Sequence, residues 1–496
     1  MEILSPEEMR LSDLQYLDRH GVPSVDLMEN AAQALKNELL SLFPKHTVFQ
    51  ILAGTGNNGG DAVALARLLA KEGVRVELEV FRFTGKESND FSINFNRLKE
   101  ASVSYNEYVS SENFYLYPGA VVVDGLFGVG LARPLEGEWN KIIQRVNAGD
   151  NTVVSIDLPS GLFCEKAPQG EAIQADYTFT FERPKLCFFL KESEVFVGEL
   201  RILKIGLSAT FMGSFKNNET IEWSDAKALR KKREKFGHKG TYGHALIIAG
   251  SEGKMGAAVL AAKSCIHSGA GLVTAIVPGK GLNIIQTAVP EVMAFPGSDS
   301  YEIENITSLE QFDAIGVGPG LGTHKKAEKL LTQILKLVKA PLVLDADALN
   351  IISANKKLLK LLPPNTILTP HPGEFKRLVG DYKDSFEARE KMIDFCKRYK
   401  VIIVLKGAHS IVCTVEGKCF FNTTGNPGMG TAGAGDVLTG VITSLLAQDY
   451  SAINAGCMGV FLHGLAGDIA VNEVSEEALT AGIIIDYIGK AFLKLS

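Results

Sequence analysis

Near the C-terminus of this 496-residue chain, NTTGNPGMGTAGAGDVLTG (422–440) crowds glycine and small residues ahead of a single acid, Asp436. Gly428, Gly430, Gly433 and Gly435 permit close backbone approach and unusual φ/ψ. They lead into an apolar run that predicts a helix beginning near Asp436. Amides at a helix N-terminus, backed by the helix dipole, make an anion site. Phosphoryl transfer needs such a cradle and one base to receive a hydroxyl proton, and Asp436 stands where that base belongs. The competing reading is that Asp436 only caps its helix.

A second glycine-rich turn, GTGNNGGDA (54–62), separates an apolar run from a helical pattern. It contains Gly54-x-Gly56-x-x-Gly59, and Glu77 and Glu79 fall near where a ribose-binding acid would lie, so a nicotinamide dehydrogenase is one reading. The rival reading joins this turn to VVVDGLFG (121–128) and SIDLPSG (155–161). Oxygens of Asn58, Asp124 and Ser160 then gather at the C-terminal ends of three strands, where open α/β sheets keep their sites. Hard oxygen ligands with little charge suit an alkali cation better than zinc or copper.

The elements that must position these residues alternate. Strands at 47–54, 74–81, 120–128 and 152–161 are interleaved with helices such as DAVALARLLAKEG (61–73), after an opening helix with a Ser5/Glu8 capping box and Pro6 at its start. This predicts a mostly parallel sheet with helices on both faces. A second alternation runs from HALIIAG (244–250) to VIIVLKGAHSIVCTVEG (401–417). Between them, 206–235 is polar and ends in KKREK, which reads as a solvated linker or helix face. Length allows roughly three domains or two large ones. A net charge of −6 leaves no electrostatic footprint for nucleic acid. The acidic start lacks a signal pattern, and no uncharged apolar run approaches a membrane span. The seven scattered cysteines read as buried, reduced thiols of a cytosolic protein.

GTAGAGDVLTG (430–440) resembles the anion-hole and catalytic-acid motif of the ribokinase-like superfamily. With GSEGKMGAAVLAAKSCIHSGAGLVT (250–274), GVGPGLG (316–322), LDADAL (344–349), LTPHPGEFKRL (368–378) and LKGAHSIV (405–412), the chain over about 244–490 resembles the ADP- or ATP-dependent NAD(P)H-hydrate dehydratases. The resemblance implies that Ala257, Gly320 and His371 line the hydrated-dinucleotide pocket and that Asp436 meets the substrate hydroxyl. It further implies that Lys406, Gly407, Ala408, His409 and Ser410 hold the nucleotide, together with the loop Asn426, Pro427, Gly428, Met429, Gly430, Thr431, Ala432, Gly433, Ala434 and Gly435. LDADAL reads as a buried strand ending in a helix cap; the alternative makes Asp345 and Asp347 indirect contributors to a Mg2+ that accompanies ADP or ATP.

MRLSDLQYLDRHGVPSVDLMENAA (9–32), taken with the N-terminal loops, resembles the NAD(P)H-hydrate epimerase domain over about 1–220. By that likeness Asn57, Asn58, Gly59, Gly60 and Asp61 contact the substrate. So do Gly128, Val129, Gly130, Leu131, Ala132, Arg133 and Pro134. Asp157 is the proton-transfer group, and Asn58, Asp124 and Ser160 bind K+. The usual NNGGDG is NNGGDA here, with Ala62 in place of glycine. The expected fold is α/β with two doubly wound domains, a Rossmann-like epimerase domain (1–222) and a ribokinase-like dehydratase domain (223–496). The expected function is repair of hydrated NADH and NADPH: interconversion of the R and S hydrates, then nucleotide-dependent dehydration of the S hydrate, releasing AMP (from ADP) and phosphate. Expected partners are the hydrates and an adenine nucleotide, in a cytoplasmic homo-oligomer that engages neither nucleic acid nor membrane. The alternative is a ribokinase-like small-molecule kinase with a non-catalytic dinucleotide-binding scaffold at its N-terminus.

Overall fold

The computed structural model describes all residues except 84, 208–217, 299–301, 304, 305 and 307. The chain forms two compact units, Glu2–Lys216 with Asp384–Phe386, and Met1 with Asn217–Lys383 and Glu387–Ser496.

The first unit contains β1 (Phe49–Ala53), β2 (Val76–Phe81), β3 (Tyr105–Tyr108), β4 (Val121–Gly125), β5 (Val153–Ile156), β6 (Tyr177–Phe181) and β7 (Glu199–Leu203). They lie in the order 3-2-1-4-5-6-7, each pair parallel. β1 and β4 are buried throughout, as strands covered on both faces must be. Winding reverses between them, which opens the ligand crevice at their C-terminal ends. The opening helix, Pro6–His20, carries the expected capping box.

The helix after β1 runs Asn57–Lys71, so it begins inside the glycine-rich turn rather than after it. Close packing is the reason. A Cβ on Gly59 would lie 1.8 Å from the Gly54 carbonyl oxygen, and one on Gly54 would lie 2.3 Å from that of Leu126. The Ala62 methyl faces the sheet: a Cβ on Gly125 would stand 2.5 Å from it. Alanine is therefore accommodated at 62 because its neighbour on β4 is glycine.

The second unit contains β8 (Asn218–Ile221), β9 (His244–Ile248), β10 (Leu272–Val277), β11 (Met293–Pro296), β12 (Ala314–Val317), β13 (Leu342–Leu344), β14 (Ile367–Leu368), β15 (Ile402–Leu405), β16 (Ile411–Cys413) and β17 (Cys419–Asn422). Among the described residues these form one sheet in the order 11-10-9-12-13-14-15-16-17-8, antiparallel only at β15–β16 and β16–β17. Residues 218–221, expected to close the first domain within a polar linker, instead pair with β17 as the edge of this sheet. Trp223–Leu229 is a largely exposed helix and, with the charged stretch beyond it, matches the solvated reading, while 208–217 lie outside the described residues.

Helices Met255–His267 and Ala434–Ala447 touch at backbone distance, since a Cβ on Gly440 would lie 2.1 Å from the Ala261 carbonyl oxygen. Helix Ala452–Val471 is long and apolar enough to cross a membrane by length and composition, although Asp468 interrupts it, so it is not an uncharged run of its full length. Its apolar window is 67% buried, and Val460, Phe461 and Leu462 pack with Ile484, Ile485 and Ile488 in the core of this unit. All seven cysteines are buried free thiols.

Candidate active sites

In the second unit the helix Ala434–Ala447 starts two residues before Asp436, behind Gly433 at a φ of 89° that favours glycine. Its cap makes no side-chain hydrogen bond, and Asp436 lies within the first turn. The capping reading therefore gives way. Lys406, at the end of β15, donates to Asp345 Oδ1 at 2.7 Å, and Thr439 Oγ1 donates to Oδ2 at 2.7 Å. Asp345 is only 1% exposed. A Cβ on Gly435 would lie 3.1 Å from Lys406 Nζ, so the glycine lets this ammonium reach the helix start.

Burial, then the charge of Asp345, push the Asp436 carboxyl up to about 6, while Lys406 opposes the rise and Asp347 and Glu374 add to it. Asp436 is thus a carboxylate poised near neutrality, as a general base should be.

The same charges tie the neighbouring loops to Asp436. Asp347 accepts from the Gly322 amide at 2.8 Å and from Lys254 at 3.2 Å. Gly320 faces Ala257: a Cβ on Gly320 would stand 3.2 Å from the Ala257 methyl. His371 caps the helix Pro372–Val379, its Nδ1 accepting from the Gly373 amide at 3.1 Å and its own amide donating to Glu374 at 2.9 Å. Its ring stays half exposed. The 407–410 turn is closed by Ser410 Oγ on Gly407 and fastened to β17, with His409 Nδ1 3.1 Å from the Asn422 carbonyl oxygen. Sequence reasoning missed His463. It lies beside Ala434 with a buried Nε2 lacking a partner, and burial and Lys406 push its imidazole down to about 4. A histidine within an apolar helix gives no local signal.

In the first unit, Asp124 is wholly buried at the end of β4. Its Oδ1 accepts from the Leu126 amide at 3.2 Å and Ser160 Oγ at 2.6 Å. Its Oδ2 accepts from Ser155 Oγ at 2.8 Å and the Ser160 amide at 2.9 Å. Burial raises this carboxyl and the hydrogen bonds oppose the rise. Asn58 Nδ2 and Ser160 Oγ both reach the Phe127 carbonyl oxygen, at 3.0 and 3.1 Å. Ser160 thus links Asp124 to the same carbonyl that Asn58 meets through its amide nitrogen, which brings the three residues expected at the cation into one network. Among the described residues no cluster of three His, Cys, Asp or Glu exists that could hold a metal ion. One carboxylate among neutral oxygens has the charge for a monovalent cation, but each Asp124 oxygen already accepts two protein hydrogen bonds, so a cation would meet it only by displacing a donor.

Asp157 sits at a φ of 66°, a strained position for a non-glycine residue. It is held by Lys185, 1% exposed, whose ammonium donates to Asp157 Oδ1 and to Thr180 Oγ1. Around this pair stand two further acids. Burial and Asp157 raise the carboxyl of Asp13 to about 6, with Lys185 opposing. Burial, then Asp157, Asp90 and Asp13, hold Asp61 well above the carboxylate range. Lys185 and Asp13 went unseen in the sequence; the one cue was a lysine shortly after a strand end.

The loop 128–134 divides. A Cβ on Gly128 would lie 3.3 Å from Asn58, while Ala132 accepts from Lys166 at 3.2 Å and Pro134 lies against Gly170. Glu77 pairs with Arg75, and buried Glu79 accepts from Gln50 and Asn106. Both acids are engaged structurally, and the dehydrogenase reading loses its ribose ligand.

Residues 245–490 match the NAD(P)H-hydrate dehydratase family, and 24–187 match the family of YjeF-related protein N-termini. The Bacillus subtilis ADP/ATP-dependent NAD(P)H-hydrate dehydratase, co-crystallized with ATP/Mg2+, superposes with a TM-score of 0.50 at 29% identity, covering 56% of this chain and 99% of that one. A ribokinase-like superfamily protein of Enterococcus faecalis does so with a TM-score of 0.50 at 28% identity, over 56% of this chain and 96% of that one. Fold and matches define an α/β enzyme that joins a YjeF-related unit to a ribokinase-like one. Two relatives match across almost their whole length. They are the bifunctional NAD(P)H-hydrate repair enzymes of Thermofilum pendens, 34% identical over 100% of this chain and 97% of the relative, and of Escherichia coli, 30% identical over 96% and 91%. The chain belongs to the family of bifunctional NAD(P)H-hydrate repair enzymes. That membership sets aside the small-molecule kinase with an inert N-terminal scaffold.

Proposed function

We propose that this chain repairs hydrated NADH and NADPH in two steps: the first unit interconverts the R and S hydrates, and the second dehydrates the S hydrate with ADP or ATP. The observation that carries the reading is Asp436, raised toward neutrality in the first turn of a helix behind a glycine-rich loop. In the dehydratase step the substrate hydroxyl oxygen attacks the terminal phosphorus of the nucleotide, and Asp436 takes the hydroxyl proton. The bond to the leaving AMP (from ADP) breaks while the 430–435 amides receive the developing negative charge. Phosphate then departs with the C–O bonding pair and the neighbouring ring carbon loses a proton, restoring the dihydropyridine.

Ala257, Gly320 and His371 would line the hydrate pocket, and Lys406–Ser410 with 426–435 the nucleotide subsite. Both oxygens of Asp345 and Asp347 already accept from protein donors, so Mg2+ would arrive as the nucleotide's counterion rather than on a carboxylate of this chain. It would neutralise phosphate charge there.

In the epimerase step Asp157, oriented by Lys185, is the proton-transfer group, and Asp61, whose hold on its proton burial strengthens, is the neighbouring acid able to donate. Asn57–Asp61 and the 128–134 loop would contact the substrate. Asn58, Asp124 and Ser160 would hold K+, which would order the 54–61, 125–128 and 157–161 loops. The test is incubation of mixed hydrate epimers with ADP or ATP, with and without K+ and Mg2+, following the return of dihydronicotinamide absorbance. Recovery of both epimers is expected with nucleotide and K+. A stable phosphorylated product without recovery would overturn the reading.

A further inference from the structure

The loop that precedes the anion cradle is fastened along one face of the helix Ala452–Val471. Asn422 Nδ2 donates to the carbonyl oxygens of Thr424 at 2.8 Å and Val460 at 3.3 Å, and Thr424 Oγ1 donates to that of Phe461 at 2.9 Å. A Cβ on Gly464 would lie 2.6 Å from the Thr424 carbonyl oxygen, and one on Gly467 would lie 2.5 Å from Met429 Sδ. Asp468 closes this face. Its Oδ2 accepts from the Gly425 amide at 2.8 Å, and its Oδ1 accepts from Asn426 Nδ2 at 2.9 Å. Gly425 has a φ of 110°, so the chain here adopts a course that a side chain would resist. The Asn426 Oδ1 is buried without a partner, which leaves Asp468 to orient that amide. Directly after these two residues come the turn Pro427–Met429 and the amides of 430–435.

We propose that Asp468 is a positioning residue for the nucleotide subsite. It grips Gly425 and Asn426 from behind so that the following loop presents its amides to the phosphates. A carboxylate facing the phosphates would repel them, so the acid acts through the loop and not by contact. The inference rests on the reading of 426–435 as the nucleotide loop.

The full chain, with purified S hydrate and with ADP or ATP varied, provides the test. Asp468→Asn keeps the shape but turns one acceptor into a donor, against a group that itself donates. The nucleotide KM should rise about tenfold, the worth of one charge-assisted hydrogen bond. Turnover at saturating nucleotide and the hydrate KM should stay within about twofold. Asp468→Ser removes both acceptors without adding an amide donor and should give the same split, which guards against a folding defect peculiar to one variant. Unchanged nucleotide KM in both, or an equal rise in hydrate and nucleotide KM, overturns the inference. Gly430→Glu, at an exposed position, separates that failure from failure of the underlying reading. It should abolish nucleotide binding, and if affinity survives, the loop is not the nucleotide site.

Discussion

Each unit sets one lysine beside several acids, and the two spend that lysine differently. In the second unit Lys406 pairs with Asp345, the acid behind the site, and leaves Asp436 without an ionic partner. Asp436 therefore carries the raised affinity for protons. In the first unit Lys185 pairs with Asp157 itself, and the raised carboxyls are its neighbours Asp13 and Asp61. One arrangement yields a lone base for a hydroxyl. The other gives the proton-transfer carboxylate a cationic partner and surrounds it with acids of raised proton affinity, which suits moving a proton on and off at one centre.

The largest effect should come from Asp436→Asn. Dehydration should fall at least 10²-fold, as for loss of a general base, while epimerisation is untouched. The same change should stabilise the protein. Because the folded pKa lies above the unfolded value, the folded state binds more protons between about 4 and 6, and stability falls as pH rises through that window. The asparagine variant escapes this penalty. It should be more stable by about 1–2 kcal/mol above pH 6, and the gain should vanish below about pH 4. Denaturant melts at pH 8 and pH 4 check it; equal melts at both would mean Asp436 titrates normally.

Lys185→Met should come next. It keeps the apolar stem but removes the cation, so epimerisation should drop about 10²-fold while dehydration of purified S hydrate persists. Loss of both activities would contradict the assignment of one chemistry to each unit.

How much of this was legible depends on how local the cause is. The glycine-rich turns, their acids and the βα alternation are local, and the sequence carries them. The helix start at Asn57 was misread because glycine argues against helix by propensity, whereas Gly59 stands in the first turn for steric closeness. Strand β8 hid in a polar edge sequence, and the helix Ala452–Val471 looked unremarkable because its glycines with Asn454, His463 and Asp468 dilute its hydropathy. Of the Asp13–Asp61–Asp157–Lys185 group, Asp61 and Asp157 were named through the family resemblance, but Asp13, Lys185 and the grouping itself could not be read. Four segments far apart in sequence supply it, and only the sheet order brings them together.

A smaller effect should follow from Asp345→Asn. Removing that charge, and freeing Lys406, both favour the ionised form of Asp436. The acid limb of dehydratase kcat/KM, expected near pH 6, should therefore move to lower pH. An unmoved limb would mean that burial alone sets the pKa of Asp436. A limb moved to higher pH would mean that Lys406 follows Asp345 away from the site.

The smallest effect concerns Ala62. If its methyl crowded the substrate, Ala62→Gly would speed epimerisation. The structure turns the methyl the other way: Ala62 is fully buried, and its Cβ stands 2.5 Å from where a Cβ on Gly125 would be. Ala62→Gly should then act only on stability. Lost helix propensity and a lost buried methyl together cost about 1–2 kcal/mol, seen as a fall of a few degrees in Tm. The epimerisation rate should stay within about twofold. Gly125→Ala supplies the converse, since the second methyl would overlap the first and destabilise the unit more severely. Combining it with Ala62→Gly should recover part of that loss, because the pair then swaps which partner carries the methyl. Faster epimerisation in Ala62→Gly, or no recovery in the double variant, would place the methyl at the ligand instead.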